Sequence, residues 1–142
     1  MRKILLIMIG LSVGLMADFT RDAATGIVTD NKTGLQWQDN EVGSIANWQD
    51  AIDRCEALEL GGYSDWRLPN FNELISIVDI SKVDPAIKDG FEHTASSYYW
   101  SSTTFERDKK NAWAVGFYYG NVSYDYKSIY YNYYVRCVRA GE

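Results

Sequence analysis

Two cysteines, one histidine and eleven tyrosines are the side chains with most to offer chemically in this 142-residue sequence. A reactive thiol wants a neighbouring histidine or a C-x-x-C partner to hold the thiolate, and neither accompanies Cys55 or Cys137. A zinc site needs about four ligands, which two cysteines and His93 do not supply without carboxylates. His93 stands beside Glu92 with no nucleophile motif such as Gly-x-Ser-x-Gly near it, a poor setting for a general base. No carboxylate spacing points to glycoside cleavage, although an unidentified hydrolase stays among the alternatives. Asp79, Asp84, Asp89, Glu92, Glu106 and Asp108 are loosely spaced, and the calcium loop pattern D-x-[DN]-x-[DN]-G is absent. The expectation is therefore no catalytic residue, no metal and no cofactor, with a structural calcium as the alternative.

The residues left over favour contact rather than reaction. Eight tyrosines crowd between residues 118 and 134, more than one buried face can use. Tyrosine offers contact area at little entropic cost and stacks on sugar rings or partner side chains, so Tyr118, Tyr119, Tyr124, Tyr126, Tyr130 and Tyr131 are the candidate ligand-binding residues. The alternative is a sheet whose tyrosine rings lie in the core with their hydroxyls in water. Asp65-Trp66-Arg67 is the tightest mixed cluster, and reads as a buried tryptophan beside an acid–guanidinium pair that locks the start of a helix. Arg107, Lys109 and Lys110, interleaved with Glu106 and Asp108, read as a solvated loop.

Residues 1–17 place Arg2 and Lys3 before an apolar run that starts at Ile4 and closes on the small residue Ala17. That is the layout of a secretory signal peptide, and the run is too short to span a bilayer comfortably. Cleavage is expected after Ala17, leaving residues 18–142 as a single domain in the periplasm or outside the cell. No cysteine lies near the cut to carry a lipid, so no stable membrane anchor is expected. Removal of the leader leaves 12 basic against 19 acidic residues, a net charge of −7. Such a charge argues against nucleic acid and anionic lipid as partners. In an oxidising compartment Cys55 and Cys137 are expected to pair. A bridge across 82 positions stabilises by about 4–5 kcal/mol at most in the chain-entropy model.

The elements that must position these groups are legible from local patterns. Ile27-Val-Thr and Leu35-Gln-Trp flank the turn residues Asp30 to Gly34, which predicts a hairpin. Asn47 caps a helix with apolar residues at Trp48, Ala51, Ile52, Cys55 and Leu58, stopped by Gly61-Gly62. Asn70 with Glu73 predicts a capping box after Pro69, and a second helix running to between Asp79 and Lys82. Strands are expected over 98–103, 112–117, 121–127 and 133–139. In the third, Val122, Tyr124 and Tyr126 share one side, which expects a sheet with one wet face. The order of hairpin, two helices and a strand-rich half predicts an α+β fold, with the disulfide tying the first helix to the last strand.

Five blocks carry a family resemblance: Thr25-Gly-Ile-Val-Thr-Asp-Asn-Lys-Thr-Gly-Leu-Gln-Trp-Gln38, Trp48-Gln-Asp-Ala-Ile-Asp-Arg-Cys55, Gly61-Gly-Tyr-Ser-Asp-Trp-Arg-Leu-Pro-Asn70, Tyr99-Trp-Ser-Ser-Thr103 and Val135-Arg-Cys-Val-Arg139. In this order they resemble the Legionella collagen-like adhesin C-terminal domain family. The resemblance implies a C-type-lectin-like fold and makes Trp48, Asp65, Trp66, Arg67, Pro69 and Arg136 structural signature positions. In the adhesin that gives the family its name, the domain binds sulfated glycans behind a collagen-like stalk; this sequence has no Gly-X-Y repeat. Calcium-dependent lectins of that architecture use Glu-Pro-Asn and Trp-Asn-Asp, whereas Leu68-Pro69-Asn70 lacks the carboxylate and Trp113 is flanked by alanines. The resulting expectation is an exported, non-catalytic binding module for a glycan or an extracytoplasmic protein, its oligomeric state open. The alternative is a structural protein that self-associates.

Overall fold

A computed structural model describes residues 17–141. The leader expected over residues 1–17 lies outside the described residues except for Ala17. The domain opens with β1 (Phe19–Asp22), β2 (Ile27–Asp30) and β3 (Gln36–Gln38), followed by helices α1 (Trp48–Glu56) and α2 (Phe71–Ser76). Strands β4 (Tyr98–Thr104), β5 (Asn111–Gly116), β6 (Asn121–Tyr126) and β7 (Val138–Arg139) complete it. The fold is α+β, as the element order predicts, with two antiparallel sheets ordered β1-β2-β3-β7 and β4-β5-β6.

The expected hairpin is β2–β3. Its turn is held by the Asp30 carboxylate, which accepts from the Lys32 and Thr33 N–H groups, and by Gly34, whose φ of 79° is left-handed. Strand β1 was not among the expected elements; it pairs antiparallel with β2 from Phe19↔Asp30 to Asp22↔Ile27. Across this sheet Val28, Trp37 and Val138 align in register and point into one core. Ile27 and Cys137 point into the other.

Both helices begin where their caps dictate. The Asn47 side chain accepts from the Asp50 N–H, and Asn70 with Glu73 forms a complete capping box. Both end earlier than expected. Helix α1 stops at Glu56, a turn before Gly61-Gly62, and α2 stops at Ser76 because Val78 leaves the helix to bridge Ile87. The expected final strand over 133–139 is also broken: Tyr133 bridges Ala46, Tyr134 bridges Tyr99, and only Val138–Arg139 joins a sheet.

One core lies under α1, where Ala51 and Cys55 meet Trp66, Trp100, Ala112 and Ala114. The other lies under α2, where Leu74 and Ile77 meet Trp37, Tyr99, Val115 and Phe117. Strand β5 is buried on both faces, its alternate residues serving the two cores. Cys55 and Cys137 form the expected disulfide, with Cα atoms 5.4 Å apart, so α1 is fastened to the residue preceding β7.

Candidate ligand-binding surface

Strand β6 is the edge of the second sheet, and its alternation is inverted relative to a half-buried strand. Val122, Tyr124 and Tyr126 are about half exposed, at 47%, 50% and 47%, while Ser123 and Asp125 are tucked further in. The wet face expected of this sheet is thus the aromatic one. The cause is the short reach of α2, which packs on β4 and β5 and leaves β6 uncovered. On the opposite face Tyr133 fills the space and its hydroxyl donates to the Asp125 carboxylate.

All six candidate tyrosines are exposed, but they form two patches rather than one. The hairpin register sets Tyr124 opposite Trp113, and the Tyr124 ring stacks on Phe105 at 4.0 Å and 4°. Trp113 meets both rings edge-on, at 5.0 Å from Phe105 and 5.7 Å from Tyr124, and Phe71 from α2 continues the row. Tyr126 packs against Tyr131 at 5.5 Å, with Tyr130 fully out in solvent beside them. Phe71, Phe105 and Trp113 were not among the expected contact residues. The strand register, which sequence does not print, sets Trp113 beside Tyr124, and tertiary packing adds Phe105 and, against Trp113, Phe71.

The second patch sits at the far end of β6, about 17 Å away by strand rise. Here Tyr118 and Tyr119 meet edge-to-face at 4.4 Å. With Ser96, Ser97, Tyr98, Gly116 and Asn121 they border a shallow recess of about 310 Å³ whose lining carries no charged side chain. The Asn121 amide donates to the Tyr98 hydroxyl at 3.0 Å. A Cβ at Gly116 would lie 2.6 Å from the Asn121 side-chain oxygen, so a larger residue there would have to turn the Asn121 amide aside.

Charge lies beside the first patch. Asn111 pairs with Tyr126, so the β4–β5 turn carrying Arg107, Lys109 and Lys110 flanks that end of β6 in solvent. Lys127 sits 4.2 Å over the Trp48 ring and donates to the Thr104 hydroxyl, so it is committed to the framework.

The signature residues are framework too, with one change of partner. Asp65 and Arg67 do not pair with each other. Arg67 makes a two-pronged bond to Glu73, at 2.7 and 2.8 Å, and so steadies the acid that caps α2. Asp65 instead receives Arg139 from β7, and that guanidinium holds its carboxyl below the usual range. The two sides of Trp66 point to different elements, which is why sequence adjacency misled. Trp66 is buried with its N–H on the Leu60 carbonyl, Trp48 donates to the Ser101 carbonyl, and Pro69 is fully enclosed.

Arg136 is buried with a partner the sequence did not announce. Its Nη1 reaches Asp39 at 2.9 Å, and its Nη2 donates to the His93 carbonyl and the Thr94 hydroxyl. Asp39 is completely enclosed, and also accepts from Arg21 Nε and from the Glu92 and His93 N–H groups. Burial pushes its carboxyl pKa up, but Arg136 and these donors outweigh burial, and the net shift is downward. His93 therefore contributes through its backbone. Among the described residues no group of three or more His, Cys, Asp or Glu side chains is placed to hold a metal ion.

These features define a class: a disulfide-closed α+β domain that presents open aromatic faces and spends its buried charges on its own framework. More particularly, the chain belongs to the Lcl C-terminal domain family, whose model matches residues 26–139. No curated protein matches the chain.

Proposed function

We propose that this chain is an exported, non-catalytic, lectin-like binding module that recognises a glycan or an extracytoplasmic protein through its exposed tyrosines. The observation that carries the reading is the outward turn of Tyr124 and Tyr126, on an edge strand whose polar residues face inward. Exposed aromatic rings braced by other rings are preorganised for stacking, so a ligand meets them at small entropic cost. The family membership supports the same reading, because the adhesin that names the family binds glycans through this domain.

The non-catalytic part is supported by the fate of three acids whose pKa values are shifted. Asp39, Asp65 and Glu73 are each held low by an arginine or by backbone donors that serve the fold. Export is supported by the intramolecular disulfide, which persists in oxidising compartments. No helix among the described residues is long and apolar enough to cross a membrane. Mass spectrometry of the recovered protein is expected to find Asp18 as the N-terminal residue.

A glycan array followed by titration tests the site. Binding is expected to fall at least tenfold in Tyr124→Ala and Tyr130→Ala, with the thermal midpoint little changed. Binding at wild-type strength in both, and in Tyr118→Ala and Tyr119→Ala, refutes the assignment.

A further inference from the structure

We propose that the free edge of β6 pairs antiparallel with β6 of a second copy of this chain, joining the two three-stranded sheets into one. The argument begins with the backbone. Lys127 donates its N–H to the Lys110 carbonyl, and bonded pairs alternate along an antiparallel ladder. The bonded pairs with β5 are thus at Asn121, Ser123 and Asp125, and the backbone groups of Val122, Tyr124 and Tyr126 point away from the sheet. The Tyr126 N–H agrees with this, since it turns to the Asp125 carboxylate rather than to β5. Strand β6 is the edge of its sheet and pairs only with β5, so the outward groups of Val122 and Tyr124 have no strand partner among the described residues. An open edge of this kind is a template for another strand.

The side chains say which strand fits. A two-fold register centred on Tyr124 sets Tyr124 against its own copy and Val122 against Tyr126 of the second copy. Ser123 then meets Asp125 of the second copy, and Asn121 meets Lys127 of the second copy. No like charges stand directly opposite each other in this register, and the outward groups of Val122 and Tyr124 face complementary ones, while the Tyr126 N–H exchanges the Asp125 carboxylate for the Val122 carbonyl of the second copy. Strands that carry a Lys, a Pro or an inward charge are protected from such pairing; β6 carries one such charge, Asp125, but the Tyr133 hydroxyl holds that carboxylate, and the centre of the register is tyrosine. Pairing would also align the Phe105, Trp113 and Tyr124 rings of both copies into one continuous row. A single edge contact is small by the standard of stable dimers, so the association is of the reversible kind. A net charge of −7 on each exported copy opposes it at long range, so the dimer strengthens as salt screens that repulsion.

Sedimentation velocity on the exported protein, without ligand, is the test. A monomer–dimer equilibrium is expected from low micromolar to near-millimolar concentration, shifting towards dimer as salt rises. Val122→Pro removes only an outward N–H and is expected to be monomeric with an unaltered urea midpoint. Tyr124→Lys and Tyr124→Glu are each expected to be monomeric, because each opposes like charges at the two-fold centre, and their mixture is expected to dimerise again. A wild-type protein monomeric throughout overturns the proposal, as does a dimer unaffected by these three variants. A mixture that stays monomeric overturns the register. The readout is mass alone, so failure here leaves the ligand reading standing.

Discussion

Replacing Asp39 by Asn isolates the buried charge on which this framework depends. The substitution preserves shape and removes one charge, leaving Arg136, itself 3% exposed, without its ion-pair partner. It also turns one oxygen into a donor. Oδ1 accepts from Arg136 and His93, and Oδ2 accepts from Arg21 and Glu92, so either amide orientation aims N–H at N–H. Breaking a buried pair from one side costs about 3–5 kcal/mol. Arg136 keeps the Gln38 and His93 carbonyls and the Thr94 hydroxyl, which favours the lower end. A loss of about 3 kcal/mol is a large part of the ~5–15 kcal/mol that holds a domain of this size. Urea denaturation followed by tryptophan fluorescence measures it, and the midpoint should fall at unchanged slope. The pH dependence supplies the sign. The carboxyl is depressed in the folded state, so its stabilisation is complete above the unfolded value of about 3.9 and is lost as pH falls through the lower native value. The gap between wild type and Asp39→Asn should therefore close on acidification below about pH 4. A loss under about 1 kcal/mol at neutral pH, or a gap that persists at low pH, refutes the reasoning.

Reducing the disulfide, or replacing Cys55 and Cys137 together by serine, is expected to cost up to about 4 kcal/mol, read as a lower thermal midpoint than the oxidised protein. Gly26→Ala should destabilise by about 2–4 kcal/mol in urea, because φ is 73° there and a Cβ would lie 2.6 Å from Asn40 Cα. Asn70→Ala removes one half of the capping box and should cost about 1 kcal/mol; amide exchange in α2 is expected to quicken while exchange in β5 follows only the global change.

What sequence could reveal here was set by how local the cause is. Asn47 and Asn70 cap their helices through atoms three residues away, and the Asp30 turn closes on itself, so all three are readable. The end of α2 was not, because Val78 leaves it for a bridge with Ile87 rather than for any residue nearby. Strand β1 was hidden for the same reason: FTRD gains its strand character from β2. At the surface, the tyrosine-rich segment was visible as composition, yet its division into two patches and the supporting roles of Phe105 and Trp113 follow from pairing with β5. Asp39 carried no signal at all. Its partners Arg21, Glu92 and Arg136 are scattered over the chain and meet only when both sheets are in place.

Residues 135–139 serve both halves of the molecule. Val135 and Cys137 enter the core under α1 and Val138 enters the core under α2, while Val138 exchanges two backbone bonds with Arg67. A polypeptide that emerges N-terminus first therefore lacks, until residues 135–139 are free, the piece that closes each core and completes the first sheet. Partial structure can form along the way, in the β2–β3 hairpin or the β4–β5–β6 meander, but neither core is sealed. The domain therefore stays unlocked until residues 135–139 dock, and that docking commits the native state.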